Sequence, residues 1–160
     1  LGAVAIRPEI FEFFRDRVYQ GGLTYNSHPI SLAAAIANIQ VMQEDGLIER
    51  SAEMGQKLHR MLTDLGEQHP SVGEVRSIGL FGIVELVRDR RTKEPMTPFN
   101  GTSSEMIALR KYLLNHGLYA QIHWHTVLII PPLIITEDQL QEGFEILNHG
   151  LEITDRAINA

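Results

Sequence analysis

The stretch Gly21 to Pro29, GGLTYNSHP, concentrates the groups best suited to holding an anion. Thr24, Tyr25 and Ser27 bring hydroxyls, Asn26 an amide and His28 an imidazole, directly ahead of a segment that opens with proline and reads as a helix. The free N–H groups at a helix N-terminus carry partial positive charge and attract phosphate or carboxylate. The same residues also suit a purely structural task, with Ser27 or Asn26 capping the helix amides. Residue types alone leave both readings open. His123 and His125 lie two apart beside a strand-like segment, a spacing that places two rings on one face and suits metal ligands. No third ligand can be identified near them, so they read as a chance pair among seven histidines, and no metal is expected. Gly79-Leu-Phe-Gly82 lacks a following Lys-Ser/Thr pair and reads as a strand bend rather than a phosphate loop. The absence of cysteine removes thiol catalysis, disulfides and cysteine-ligated zinc together.

The elements that must position these residues follow from periodicity and punctuation. Leu1–Ile6 is an apolar run that reads as a core strand, and Arg7-Pro8 opens a short helix bearing Ile10, Phe11, Phe13 and Phe14. Ile30–Met42, ISLAAAIANIQVM, is apolar on nearly every side, so it must be buried or join two packed bodies. Asp45-Gly46 ends it, and the next helix carries Leu47, Met54, Leu58, Met61, Leu62 and Leu65 by threes and fours until Pro70. Val72–Val87 predicts one bent strand or two short ones. Arg88–Asn100 is charged, contains two prolines and reads as an exposed loop. Ser103 or Ser104 caps a helix with Met106, Leu109, Leu113 and Leu114 inward, and Gly117 suits the left-handed position after its end. Two strands, about Leu118–Ile122 and Val127–Ile130, flank a tight polar reversal, and Pro131-Pro132 stops the second. Thr136 with Gln139 forms a capping box for a last helix whose inward stripe is Leu140, Phe144, Leu147 and Leu151.

From residue 46 onward the order of helix, strands, helix, strand, strand, helix predicts an α+β domain, its largely antiparallel sheet covered by helices on one face. Residues 1–45 stand outside that pattern and read as the end of a different domain with a connecting helix. At 160 residues, 44% hydrophobic and 21% charged, the composition is that of a soluble globular protein. A chain of this length buries roughly 70% of its unfolded surface. Fourteen basic against twenty acidic residues give a net charge of −6 with the cations scattered, which argues against a nucleic-acid surface. No run approaches the roughly 18 apolar residues of a membrane span. The apolar start has no cationic flank or cleavage site and no initiating Met, so a piece of a longer protein is expected; its expected location is cytoplasmic.

GGLTYNSHPISLAAAIANI resembles the T-[FY]-S-G-H-P-x-x-x-A-A-A segment of the class III, or omega, aminotransferases, which use pyridoxal phosphate on the type I fold. Leu1-Gly2-Ala3-Val4 resembles the P-[LI]-G-A-V strand that follows the family's Schiff-base lysine. Arg76-Ser-Ile-Gly79 with Glu85 resembles its R-x-x-G and later glutamate. Gly117-Leu-Tyr and Pro131-Pro132-Leu133-Ile134-Ile135-Thr136 resemble the motifs before its last helix. These motifs keep the family order across the whole chain. The resemblance implies the C-terminal portion of such an enzyme, with 46–160 as the small C-terminal domain and 1–45 as the tail of the large cofactor-binding domain.

Carried over residue by residue, the resemblance makes Thr24 the threonine that donates to the cofactor phosphate across a homodimer interface, with Tyr25, Leu23 and His28 in the same loop. Asn26-Ser27 stands where the family has Ser-Gly. Near Gln121 and His123 many members carry an arginine that grips the substrate carboxylate. No arginine lies between Arg110 and Arg156 here, so His123 or Gln121 takes that role, or the carboxylate is held elsewhere. Trp124 and the stretch RTKEPMTPFN resemble taurine:pyruvate-type members more than acetylornithine or glutamate-semialdehyde ones. None of Lys57, Lys93 and Lys111 matches the catalytic lysine, which by family spacing precedes Leu1, so no catalytic residue is assigned and these 160 residues alone are expected to be inactive. The implied activity is ping-pong transfer of an amino group from an amine or omega-amino acid to a keto acid such as pyruvate, without nucleic-acid or membrane partners. Taken without the resemblance, 46–160 also suits a stand-alone ligand-binding or regulatory module.

Overall fold

A computed structural model describes residues 2–158, so Leu1, the first residue of the expected opening strand, lies outside it. The elements are α1 (Pro8–Phe14), α2 (Pro29–Glu44), α3 (Leu47–Gln68), β1 (Val72–Ile78), β2 (Phe81–Asp89), β3 (Glu94–Pro95), α4 (Ser104–Asn115), β4 (Gln121–His123), β5 (Thr126–Ile129) and α5 (Glu137–Arg156). They form two units, Leu1–Gly46 and Leu47–Ala160.

In the first unit, residues 2–7 form no strand, which corrects the expectation. An extended segment becomes a strand only when a neighbour takes up its N–H and C=O groups, and this unit has no second strand among its described residues. Proline at the first position starts both helices. None of the α2 residues is buried, and its apolar side chains point in all directions, with Ile30, Ile36 and Ile39 all more than half exposed. Apolar surface this extensive exceeds what scattered single surface residues produce.

The second unit holds the core. The stripe Met54, Leu58, Leu62 and Leu65 of α3 meets Val84 and Leu86 of β2, Val127 of β5, and the inward stripes of α4 and α5 in one cluster. All strand pairs are antiparallel, in the order β1-β2-β5-β4, with β3 added to the far end of β2. The Val72–Val87 segment resolves into two strands, because Gly79 takes a left-handed φ of +51° at the reversal. Gly55 permits α3 to lie against that reversal, where a side-chain carbon would come within 2.5 Å of the Gly79 Cα.

The caps are the ones the residue types demand. Ser103 accepts from the Met106 N–H and starts α4. At the other end of α4, Gly117 has φ +87°, its N–H bonds Leu114 and the Leu118 N–H bonds Leu113, the paired pattern of a Schellman motif. Leu118 therefore finishes the helix rather than starting a strand, and β4 begins at Gln121. The Thr136–Gln139 capping box forms in full. The far end of α5 is pinned by Asp155, which accepts from His69 at 2.6 Å and from the Ser71 hydroxyl at 2.6 Å.

The Arg88–Asn100 stretch is not the plain exposed loop expected. Met96 and Thr97 are fully buried, since the Met96 N–H extends the ladder to Leu86 O at 2.9 Å and the Thr97 hydroxyl donates to Ser103 Oγ at 2.9 Å. Arg88 also leaves this stretch to pair with Glu105 at 3.2 Å. The Glu105 carboxyl is held below the usual glutamate range by its own main-chain N–H, then by the Ser103 hydroxyl and the Arg88 guanidinium. A carboxyl with a lowered folded-state pKa contributes stability at neutral pH that is lost as pH falls through the carboxylate range. Thermal melts of Glu105→Gln are therefore expected to fall less steeply than wild type on acidification, and parallel curves would contradict this.

Candidate functional site

The Gly21–His28 loop turns at Leu23–Asn26, where the Asn26 N–H bonds Leu23 O at 3.1 Å. Ser27 then takes φ +56°, a conformation glycine adopts freely, so the loop keeps a left-handed residue where the resembling family has its glycine. The N-cap of α2 is His28, and its side chain makes no capping bond. Neither Ser27 nor Asn26 caps the helix, which corrects that alternative. The first turn of α2 consequently keeps main-chain N–H groups unsatisfied by side chains, next to an exposed Thr24 and a Tyr25 that is 83% exposed. Hydroxyl, helix start and exposure together make an anion-binding loop chemically feasible.

The second group sits on the sheet face turned away from the helices. Ile122 is buried, so its neighbours Gln121 and His123 point to the opposite face, and both are exposed. The register places Glu85, Thr126 and His123 in one cross-strand row and Arg76, Ile83, Leu128 and Gln121 in the next. Arg76 is already engaged. It bonds Glu74 at 3.0 Å and also Glu85, which raises its pKa and holds the Glu74 carboxyl below its ordinary value. Two carboxylates on one guanidinium leave it little affinity for a third.

The β4–β5 reversal is a two-residue loop of Trp124 and His125. Thr126 Oγ1 donates to His123 O at 2.7 Å across it, and Arg110 Nη2 donates to the outward Ile122 O at 2.7 Å. Trp124 has φ +54°, and its ring stacks with His123 at 4.0 Å and makes a tilted contact with Phe99 at 4.3 Å. His125 sits in the reversal, so the strand period does not bring its ring beside that of His123. Its Nδ1 is buried without a hydrogen-bond partner. Among the described residues, no group of three or more His, Cys, Asp or Glu side chains could hold a metal ion. Phe99, Arg110 and Thr126 escaped the sequence reading. Only Thr126, a β-branched residue just after a reversal, carried a local signal.

The fold is that of a transaminase domain. A solved taurine:2-oxoglutarate aminotransferase from Bifidobacterium kashiwanohense, in complex with pyridoxal phosphate and glutamate, superposes with a TM-score of 0.87 and 34% identity, over 93% of this chain and 33% of its own. The chain belongs to the class-III aminotransferase family, which it matches over residues 1–151. It is 32% identical to the putrescine–pyruvate aminotransferase of Pseudomonas aeruginosa over its whole length and 34% of that protein. It is 33% identical to an ethanolamine-phosphate phospho-lyase homolog of Caenorhabditis elegans over 98% of this chain and 33% of that one. The chain thus spans about a third of the length of these relatives.

Proposed function

We propose that this chain is the C-terminal part of a homodimeric, pyridoxal-phosphate-dependent aminotransferase that moves an amino group from an amine or omega-amino acid to a keto acid such as pyruvate. One observation carries the reading: a chain that matches the family over residues 1–151 keeps, where the family has its phosphate-binding threonine, a hydroxyl beside an uncapped helix start. Leu47–Ala160 would be the small C-terminal domain. Leu1–Gly46 would be the tail of the large domain, with the apolar faces of α2 covered in the dimer.

The residues fit the phosphate end of the cofactor. Thr24 donates its hydroxyl, the N–H groups at the start of α2 add positive potential, and Tyr25 walls the loop. When bound, pyridoxal phosphate supplies the electron sink for removing a proton beside the amino group. The substrate carboxylate is received by the Gln121 amide and the His123 imidazole, a weaker grip than a guanidinium, because Arg76 on the same face is taken up by glutamates. The amine chemistry needs a desolvated lysine. Lys57 is ion-paired with Glu137, Lys93 lies 3.4 Å from Glu74, and Lys111 is exposed. The family's catalytic lysine is therefore assigned to the parent protein outside this chain.

Incubating the full-length parent with pyruvate and a panel of amines tests the reading. Amine-dependent alanine formation with parallel double-reciprocal plots is expected. Phosphate release from a phosphorylated amine in place of alanine would overturn it. The 160 residues alone are expected to show no such activity. Borohydride treatment with pyridoxal phosphate should leave no stoichiometric adduct at any one of Lys57, Lys93 and Lys111, and mass spectrometry that finds one would refute the lysine assignment.

A further inference from the structure

We infer that Trp124 is a positioning residue that fixes the His123 imidazole for the keto-acid carboxylate, through a ring stack that Phe99 also contacts. The inference rests on the reading of His123 as a carboxylate contact and adds the device that holds it.

Adjacent residues at a strand end normally project to opposite faces. His123 and Trp124 nevertheless stack, with ring centroids 4.0 Å apart and an interplanar angle of 27°. The left-handed φ of +54° at Trp124 makes this possible, because it folds the indole back over its neighbour. That position is the first of a two-residue hairpin loop, where glycine or asparagine is the ordinary choice. A bulky side chain in this conformation stores strain, and strain of this kind concentrates where geometry serves function.

The indole also touches the Phe99 ring, tilted at 57° with centroids 4.3 Å apart, from the segment whose preceding residues Met96 and Thr97 are fully buried. The backbone of His123 is held as well, by the Thr126 hydroxyl on its carbonyl. An exposed imidazole would otherwise sample several rotamers and lose part of its binding energy to ordering. Stacking removes that freedom in advance. Arg110 closes the outer edge of β4 by bonding the Ile122 carbonyl, so the strand that carries Gln121 and His123 is tied on both sides.

A structural role and a positioning role separate at Trp124→Gly in the full-length holoenzyme. Glycine adopts the left-handed φ without strain, so the melting temperature is expected to stay level or rise. The KM for pyruvate is expected to rise about tenfold with kcat little changed, the scale of one weakened hydrogen bond to a carboxylate. Trp124→Phe keeps a ring to stack and should restore most of the affinity. In a His123→Ala background, Trp124→Gly should add almost nothing, since its effect runs through His123. A KM unmoved by Trp124→Gly while His123→Ala raises it would overturn the positioning role alone. A full additional rise in the double variant would do the same. A KM unmoved by His123→Ala would overturn the carboxylate assignment and the positioning role with it.

Discussion

Thr24→Ala in the full-length parent is expected to raise the dissociation constant for pyridoxal phosphate about 10- to 150-fold, with apo stability nearly unchanged. The magnitude follows from the bond proposed for Thr24: a hydroxyl donating to a dianionic phosphate is charge-assisted and contributes about 1.5 to 3 kcal/mol. The structure sharpens the contrast with a structural threonine. Loss of a helix cap would lower stability by about 0.5 to 2 kcal/mol, yet α2 takes no side-chain cap from this loop, and its N-cap is His28. Thr24 is exposed, so its truncation opens no cavity. Titrating apo-enzymes with cofactor and melting both without it distinguishes the two. Equal affinities with a lowered apo melting point would sink the phosphate role.

The second large effect lies in the core. Leu62 is fully buried and fills the space over Gly82, where an added Cβ would stand 2.8 Å from Leu62 Cδ1. Leu62→Ala removes those atoms and leaves a cavity, at a cost of about 2 to 5 kcal/mol. Gly82→Ala alone overpacks the same space and costs about 1 to 3 kcal/mol. Together the two should be less harmful than their sum by about 1 kcal/mol or more, since the new methyl occupies part of the vacated volume. Melting temperatures of wild type, both single variants and the double variant form the cycle. Strict additivity would show that α3 and β2 do not share this contact in solution.

Parts of this architecture are written locally. Ser103, Gly117 and the Thr136–Gln139 pair set helix ends through bonds within a few residues, and each appears where its type requires. The stripe Leu140, Phe144, Leu147 and Leu151 is buried as its period demands. Thr24 and Tyr25 could likewise be placed in a loop before a helix. Local pattern failed where a partner decides the outcome. Residues 2–7 have the composition of a strand without a neighbour to pair with, and Met96 and Thr97 sit among charges and prolines yet are buried because β2 and Ser103 reach them.

The candidate site divides in the same way. Alternation along β4 was enough to set Gln121 and His123 on one face once Ile122 faced inward. Which charges share that face depended on strand register, which brings Arg76 and Glu85 into the adjoining rows and commits the guanidinium to carboxylates. The contact of Phe99 with the stacked Trp124 and His123 rings joins a loop to a hairpin far along the chain, through a left-handed tryptophan that no propensity favours. The sequence by itself determined the helices, their ends and the inward faces, because those follow from short-range hydrogen bonds and from the period of apolar residues. Tertiary structure alone decided which strands pair, which charges are neutralised and which rings touch, because those depend on long-range packing that fixes distances between residues remote in the chain.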